Sequence, residues 1–181
     1  MDGAACARDE ETGEGMSDEQ LRAEVITIIG AGHETTAVTL SWAWYLLSEN
    51  PEAEERLHEE LARELAGRTP TLEDLPRLAY ATMVVEETMR LYPPAWAISR
   101  TARGADTLGG YRVAAGSEAL LIPYVTHRHP DFWDAPDKFS PERFAPAAKE
   151  SRPRDGVHII LRESWAARKS PLLPTLRPAC Y

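Results

Sequence analysis

Residues 31–36, with the sequence AGHETT, bring together groups that can move protons inside an otherwise apolar part of the chain. Glu34 supplies a carboxylate, and Thr35 and Thr36 supply hydroxyl groups. Gly32 in this stretch and Gly30 just before it each cost about 1 kcal/mol relative to alanine in a helix. Glycine permits the close approach of another backbone or of a flat ligand. A buried Glu34 would also need a partner or water.

Two interpretations of this stretch remain open. In the first, a helix is locally opened beside a cavity, because a threonine hydroxyl bonded to the carbonyl one turn earlier loosens the helical ladder. An acid and an alcohol next to that opening could relay protons. In the second, the stretch is a kink in a long core helix and Glu34 faces the solvent.

Three further charged residues stand downstream of this segment. Glu87 and Arg90 are three residues apart and would share one helix face. Most such pairs are exposed and contribute little, but the flanking sequence VVEETMRLYPP is apolar on one side. Arg143 lies in the segment PERF, residues 141–144, whose simplest interpretation is a surface turn anchored by Phe144.

Helical patterns dominate the first half of the chain. A capping box of Ser17 and Gln20 predicts a helix that runs to about Ser48. Asn50 and a following proline stop it and start an amphipathic outer helix over residues 52–66. The apolar stripe of this second helix is Leu57, Leu61 and Leu65.

The pattern changes after a third helix. A capping box of Thr71 and Asp74 predicts this helix, which runs to about Leu91, where Tyr-Pro-Pro ends it. Residues 108–111 (LGGY) predict a hairpin turn, and residues 119–125 predict a strand.

Residues 126–144 are rich in proline and aromatic residues and predict an ordered loop. His127 and His129 are interpreted as part of this loop, since two histidines alone make a poor zinc site. The aromatic side chains expected to hold the loop are Phe132, Trp133, Phe139 and Phe144.

Charge and composition exclude several classes of protein. The net charge of −9 argues against a nucleic-acid partner. No apolar run is long enough to cross a bilayer, and the acidic first residues do not resemble a signal peptide. Cys6 and Cys180 lie near opposite ends, which favours a reducing cytoplasm. From Ala145 onward basic residues outnumber acidic ones seven to three, whereas acidic residues outnumber basic ones 26 to 13 before it.

The three motifs together resemble the cytochrome P-450 family, the haem-thiolate monooxygenases, and most resemble its soluble bacterial branch. AGHETT is followed by ETMR about fifty residues later and by FSPERF about fifty residues after that. The resemblance runs from about Ala7 to Arg154. It implies a mainly α fold with a small β-hairpin region, built from a long distal helix, an outer helix, a Glu-x-x-Arg helix, short strands and a meander loop.

The resemblance also implies residue roles. Glu34 and Thr35 match the acid–alcohol pair that passes protons to iron-bound dioxygen. The implied cofactor is haem b, with a small organic substrate and a redox partner such as a ferredoxin or a flavin reductase. The residues expected at the haem are Ala31, Gly32, Thr36 and Arg100, and those expected to form the proximal Glu-Arg-Arg network are Glu87, Arg90 and Arg143.

The chain departs from the family pattern at the iron ligand. A loop of the form Phe-x-x-Gly-x-x-x-Cys is absent, because Leu173 and Leu176 precede Cys180 where phenylalanine and glycine are needed. Cys6 precedes the first helix. We therefore expect no axial metal ligand from this chain, and the N-terminal half of the family's fold is also missing.

These observations predict three segments: an acidic loop over residues 1–16, a partial cytochrome P-450 domain over 17–154, and a Pro/Arg-rich, disordered tail over 155–181. A shifted reading frame or broken gene near Asp155 would explain the tail, and a lineage-specific tail is the alternative. The chain is then a truncated or frameshifted, inactive form of a monooxygenase. The alternatives are a non-catalytic helical remnant or binding module, and one part of a split enzyme.

Overall fold

The structure, a computed structural model, describes residues 15–150 and 176–178 and shows the predicted mainly α fold with a small antiparallel sheet. The helices are α1 Asp18–Glu49, α2 Pro51–Leu65, α3 Ala79–Leu91, α4 Pro123–Thr126 and α5 Pro146–Glu150, with 3-10 helices at Leu72–Arg77 and Pro141–Phe144. The strands are β1 Ile98–Ala102, β2 Asp106–Leu108, β3 Tyr111–Val113, β4 Glu118–Leu121 and β5 Leu176–Pro178. Most of the predicted segments 1–16 and 155–181 lie outside the described residues.

Helix α1 is a single helix of 32 residues, and its start confirms the predicted capping box. The Ser17 hydroxyl accepts a hydrogen bond from the Gln20 backbone N–H at 3.2 Å, and the Gln20 side chain accepts one from the Ser17 N–H at 3.0 Å. These bonds satisfy N–H groups that the helix itself leaves free. At the other end, the Asn50 side chain donates to the Leu46 carbonyl. No helix in the described part of the chain has the length and apolar character needed to cross a membrane.

The predicted third helix is divided into two elements. The capping box of Thr71 and Asp74 is present, but it opens the 3-10 helix Leu72–Arg77 rather than α3. Pro76 lies inside this element and cannot donate the hydrogen bond that an α-helix requires there. Helix α3 therefore begins separately at Ala79.

The sheet regions confirm the hairpin and correct the length of the strand. Strands β2 and β3 pair with Leu108 opposite Tyr111, and the two glycines between them both have positive φ, as a two-residue hairpin turn of this kind requires. Strand β4 stops at Leu121, four residues earlier than predicted, because Pro123 begins α4. Strand β1 pairs antiparallel with both β4 and β5.

The core lies where α1, α2, α3 and the loop after α4 meet. Of the four aromatic side chains predicted to hold that loop, three are buried, but Phe132 is 45% exposed and that part of the prediction is wrong. Phe132 instead packs against the His129 ring at the surface. The buried side chains of the two core clusters are Leu46, Leu47, Ala53, Val84, Leu91 and Phe139, and Trp133 with Phe144.

Candidate active site

Residues 30–36 stay in the α-helix throughout, so the opened turn of the first interpretation is not present. Every side chain from 31 to 37 is exposed, including Glu34. Apart from its own helix backbone, a Cβ placed on Gly30 or Gly32 would meet no atom of the described residues within 4 Å. The described part of the chain therefore gives no packing reason for either glycine and does not cover the surface over them.

Thr35 makes the local hydrogen bond that its position predicts. Its hydroxyl donates to the Ala31 carbonyl, one turn earlier, at 2.6 Å. Thr39 repeats the arrangement by donating to the Thr35 carbonyl at 2.8 Å. The helix accommodates these bonds without breaking, but each hydroxyl keeps its lone pairs free to accept a proton or a hydrogen bond.

A cavity of about 330 Å³ lies between α1 and α3 beside these threonines. Thr35 and Thr36 reach it from α1, whereas Glu34 does not line it. No hydrogen bond joins Glu34 to Thr35 within the described residues, so the acid and the alcohol are neighbours in sequence on different sides of the helix. The lining residues are Thr35, Thr36, Thr39, Leu40, Val85, Met89 and Pro94.

Arg90 and Glu87 form a fully buried pair on α3. Arg90 donates from Nε to Glu87 Oε2 at 2.7 Å and from Nη2 to Glu87 Oε1 at 2.8 Å. Its remaining N–H groups donate to backbone carbonyls of the loop after α4. These acceptors are the carbonyl oxygens of His127 and Pro136, both at 2.7 Å, and of Lys138 at 3.3 Å.

Arg143 lies at the same cluster. Its Nε lies 3.3 Å from Glu87 Oε1, and its Nη2 donates to the Ala135 carbonyl at 2.8 Å. The Ser140 N–H also donates to Glu87 Oε1 at 2.9 Å. One buried carboxylate thus faces two guanidinium groups and a backbone donor, which keeps its charge compensated in a place without solvent.

Arg100 lies apart from both groups, on β1. It is half-buried and does not line the cavity beside Thr35. Its Nη1 donates to the neighbouring Ser99 carbonyl at 2.8 Å, and no carboxylate of the described residues pairs with it. The guanidinium therefore has donors left for an anionic group.

Two buried residues that contact α3 were not predicted from the sequence. Glu60 on α2 is buried, and its two oxygens accept hydrogen bonds from the Tyr80 and Ala81 N–H groups at 2.7 and 2.9 Å. His127 is buried against the end of α3, with Nδ1 3.2 Å from the Arg90 carbonyl oxygen. In the sequence, Glu60 is one of many charged residues on an outer helix. His127 could be noticed only as a histidine near the start of an aromatic loop.

The sequence matches the cytochrome P450 family over residues 1–158. It is 48% identical over 145 residues to Cyclooctatin synthase of Streptomyces melanosporofaciens, covering 80% of this chain and 32% of that protein. Identity to Cyclooctat-9-en-7-ol 5-monooxygenase of the same organism is 42%, covering 74% and 29%. Identity to Pentalenene oxygenase of Streptomyces avermitilis is 38%, covering 89% and 34%. The chain spans about a third of the length of these curated relatives.

Two of these relatives are named as a monooxygenase and an oxygenase. The family match covers most of the chain, so the chain belongs to the cytochrome P450 family, whose cofactor is haem.

The described residues fit one side of a haem group. The surface over Gly30 and Gly32 is open, an apolar cavity adjoins Thr35 and Thr36, and Arg100 has donors for a carboxylate such as a propionate. The axial thiolate of this family comes from a cysteine, and neither cysteine of the chain is among the described residues. The fit therefore concerns one face and the propionates of a haem group, and not the iron ligand.

Proposed function

We propose that this chain provides the oxygen-side helix and the proximal Glu-Arg-Arg cluster of a haem monooxygenase that inserts one atom of dioxygen into an organic substrate. The haem supplies the activation of dioxygen when it is bound. The observation that carries the proposal is the placement of Thr35 and Thr36 at an apolar cavity, next to glycines that nothing in the described chain covers.

The proposed work of the helix is proton delivery. Thr35 lines the cavity, and its hydroxyl oxygen can accept a proton on a lone pair. To pass a proton on, the hydroxyl hydrogen must leave its bond to the Ala31 carbonyl. Glu34 lies on the solvent side and can exchange protons with water. Since the two side chains do not touch, the transfer between them requires a water molecule or a rotation of Glu34.

In this proposal Ala31, Gly32 and Thr36 contact the face of the haem, and Arg100 holds a propionate. Glu87, Arg90 and Arg143 do not touch the substrate. They hold the loop of residues 127–140 against α3, which we propose sets the shape of the proximal side.

The substrate is proposed to be a small apolar organic molecule, because the cavity beside Thr35 is lined mainly by apolar side chains. The names of two relatives give cyclooctat-9-en-7-ol and pentalenene as the compounds that they oxidise. A redox partner such as a ferredoxin or a flavin reductase would deliver the electrons.

For the chain on its own, we propose that no thiolate-bound haem forms and that turnover is absent. The test is to purify the full chain with added haem and to record the spectrum of the reduced, carbon-monoxide-bound sample. A thiolate-type Soret band would overturn this part of the proposal.

The oxygen-side role is tested in a chimera in which the matched segment of this chain replaces the corresponding segment of Cyclooctatin synthase. Thr35→Val should lower turnover by about 10²- to 10⁴-fold, the range for loss of one proton-transfer group, while Thr35→Ser should retain most of it. The control is Ser41→Ala, because Ser41 is exposed and makes the same local bond to the Ala37 carbonyl. Equal turnover in the valine, serine and control variants would contradict the role of Thr35.

A second candidate is a non-catalytic helical binding module, or one part of a split enzyme completed by another chain. The observation in its favour is the apolar surface of α1, where Ile26, Ile28 and Ile29 are each more than 60% exposed. Strong binding of a hydrophobic dye by the full chain, lost on addition of a purified partner, would support it. A chain that binds no dye would count against it.

A further inference from the structure

His127 and Arg90 hold each other by two hydrogen bonds in opposite directions. The ring nitrogen Nδ1 of His127 lies 3.2 Å from the Arg90 backbone oxygen, and Arg90 Nη1 donates to the His127 backbone oxygen at 2.7 Å. A carbonyl oxygen only accepts, so Nδ1 must carry the hydrogen in this contact. The geometry therefore selects one tautomer of the neutral ring, with Nδ1 protonated.

The surroundings of His127 oppose a second proton. Its side chain is almost fully buried, and Nε2 has no hydrogen-bond partner among the described residues. Within the described residues, the charged groups that face it are both cations: Arg90 from α3 and Arg128 from its own loop. The ring edge packs against Trp133, over which the Arg90 guanidinium also lies at 4.9 Å. Asp137 pairs with Arg128 but is exposed, and Glu87 is already held by Arg90.

We propose that His127 is a positioning residue for the buried Glu87–Arg90 pair. As the neutral Nδ1–H tautomer, His127 donates to the Arg90 carbonyl and so fixes the position of the pair. Protonation of the ring then releases the loop after α4 from α3. The inference deepens the role given above to the Glu-Arg-Arg cluster. It concerns a residue to which neither the motifs nor the comparisons assign a function.

The direction of the pH effect follows from the ring's environment. Burial, with the two arginines, lowers the pKa of His127 to about 4, compared with about 6.5 in an unfolded chain. The unfolded state thus binds the proton first as the pH falls. The stability that neutral His127 contributes is fully present above about pH 6.5 and is lost between about pH 6.5 and about pH 4.

The test uses the full chain and three variants. His127→Asn keeps an N–H donor near the position of Nδ1 but cannot take up a proton in this range. His127→Phe keeps the ring volume and loses the donor. His129→Asn is the matched control, because His129 is exposed and lies in the same loop. Acid unfolding is followed by circular dichroism and by tryptophan fluorescence, to which Trp133 contributes.

We expect His127→Asn to remain folded near neutral pH and to unfold at a pH about one unit lower than the unmodified chain. His127→Phe should be the least stable variant near neutral pH, and His129→Asn should match the unmodified chain. The same acid midpoint in the asparagine variant and the unmodified chain would overturn the proposal, as would equal stability of the phenylalanine and control variants near neutral pH.

Nitrogen NMR of the unmodified chain with labelled histidines gives a result that does not depend on any variant folding. One histidine should show the neutral Nδ1–H tautomer and no titration down to about pH 5. Five histidines that all titrate near pH 6.5 in the folded chain would overturn the inference. Neither readout involves monooxygenase turnover, so the proposal for His127 and the proposal for the enzyme can fail separately.

Discussion

Arg90 shows why one residue type is required at the centre of the buried cluster. A guanidinium group has five N–H donors in a rigid plane, and in this structure all five have acceptors: two oxygens of Glu87 and three backbone carbonyls. A lysine has three donors from a single atom and cannot reach two opposite sides at once. The cluster is thus a connection between α3 and the loop after α4 made by one side chain.

Removal of this side chain should be strongly destabilising. Arg90→Met leaves the Glu87 carboxylate buried with a weakened set of partners, and we expect a loss of about 3–5 kcal/mol in the free energy of unfolding. Arg63→Met is the control, since Arg63 is exposed and, among the described residues, pairs only with its neighbour Glu64. Its loss should be below about 1 kcal/mol. Urea unfolding of the two variants measures both values, and equal losses would show that the buried pair is no stronger than a surface pair.

At the scale of elements, α3 depends on another helix for its first turn. Its N-cap residue, Leu78, offers no side-chain hydrogen bond. Glu60 on α2 replaces the missing cap, because its carboxylate accepts hydrogen bonds from two N–H groups in the first turn of α3. Its negative charge also interacts favourably with the helix dipole at this end. The position of Glu87 and Arg90, about two and three turns further on, is therefore tied to α2.

Glu60→Gln should lower stability by about 1.5–3 kcal/mol, the range for a hydrogen bond to a charged group. The glutamine NH₂ would face a backbone N–H, and the favourable charge at the helix start would be lost. Glu59→Gln is the matched control, because Glu59 is adjacent and exposed. Thermal unfolding followed by circular dichroism should separate the two variants, and similar midpoints would mean that Glu60 does not cap α3.

The hairpin of β2 and β3 makes a separate prediction. Gly110 has a φ of +87°, which an L-residue with a side chain adopts at a cost of about 1–2 kcal/mol. Gly110→Ala should destabilise the chain by about this amount. Gly104→Ala is the control, since no positive φ is recorded at Gly104 and an added Cβ would meet nothing within 4 Å among the described residues. Urea midpoints that do not differ would contradict a positive-φ turn.

At the scale of the whole molecule, the N-terminal two thirds of α1 project from the core. Buried residues of this helix begin at Thr39, and the side chains from 22 to 37 are all exposed. A helix of this apolar character is normally covered. Because the chain spans about a third of its relatives' length, we propose that the rest of the family's fold covers α1 in an assembled enzyme.

This exposure predicts how the chain behaves in solution. Replacing Ile28 and Ile29 by serine should raise the monomeric fraction in size-exclusion chromatography without a large loss of stability, since both side chains are more than 60% exposed. Leu46→Ser, in the core, is the contrasting variant and should lose about 2–5 kcal/mol. An unchanged monomeric fraction in the isoleucine variant would show that α1 does not cause self-association.

What the sequence determined was mostly local. The start of α1, the hairpin at Gly109 and Gly110 and the proline boundary after α1 all depend on hydrogen bonds or φ preferences within four residues. The pair Glu87 and Arg90 was also predictable, since residues three apart on a helix share a face. The motifs in their order were enough to indicate the family.

Only the tertiary structure decided which of these groups are buried and what they contact. The Glu60 cap joins residues twenty apart, and the His127–Arg90 contact joins residues 37 apart. No local pattern encodes such contacts, and the two loop aromatics Phe132 and Trp133, adjacent in sequence, end in opposite environments. The physical reason is that burial depends on which distant surfaces meet, whereas caps and turns are satisfied by the chain's nearest neighbours.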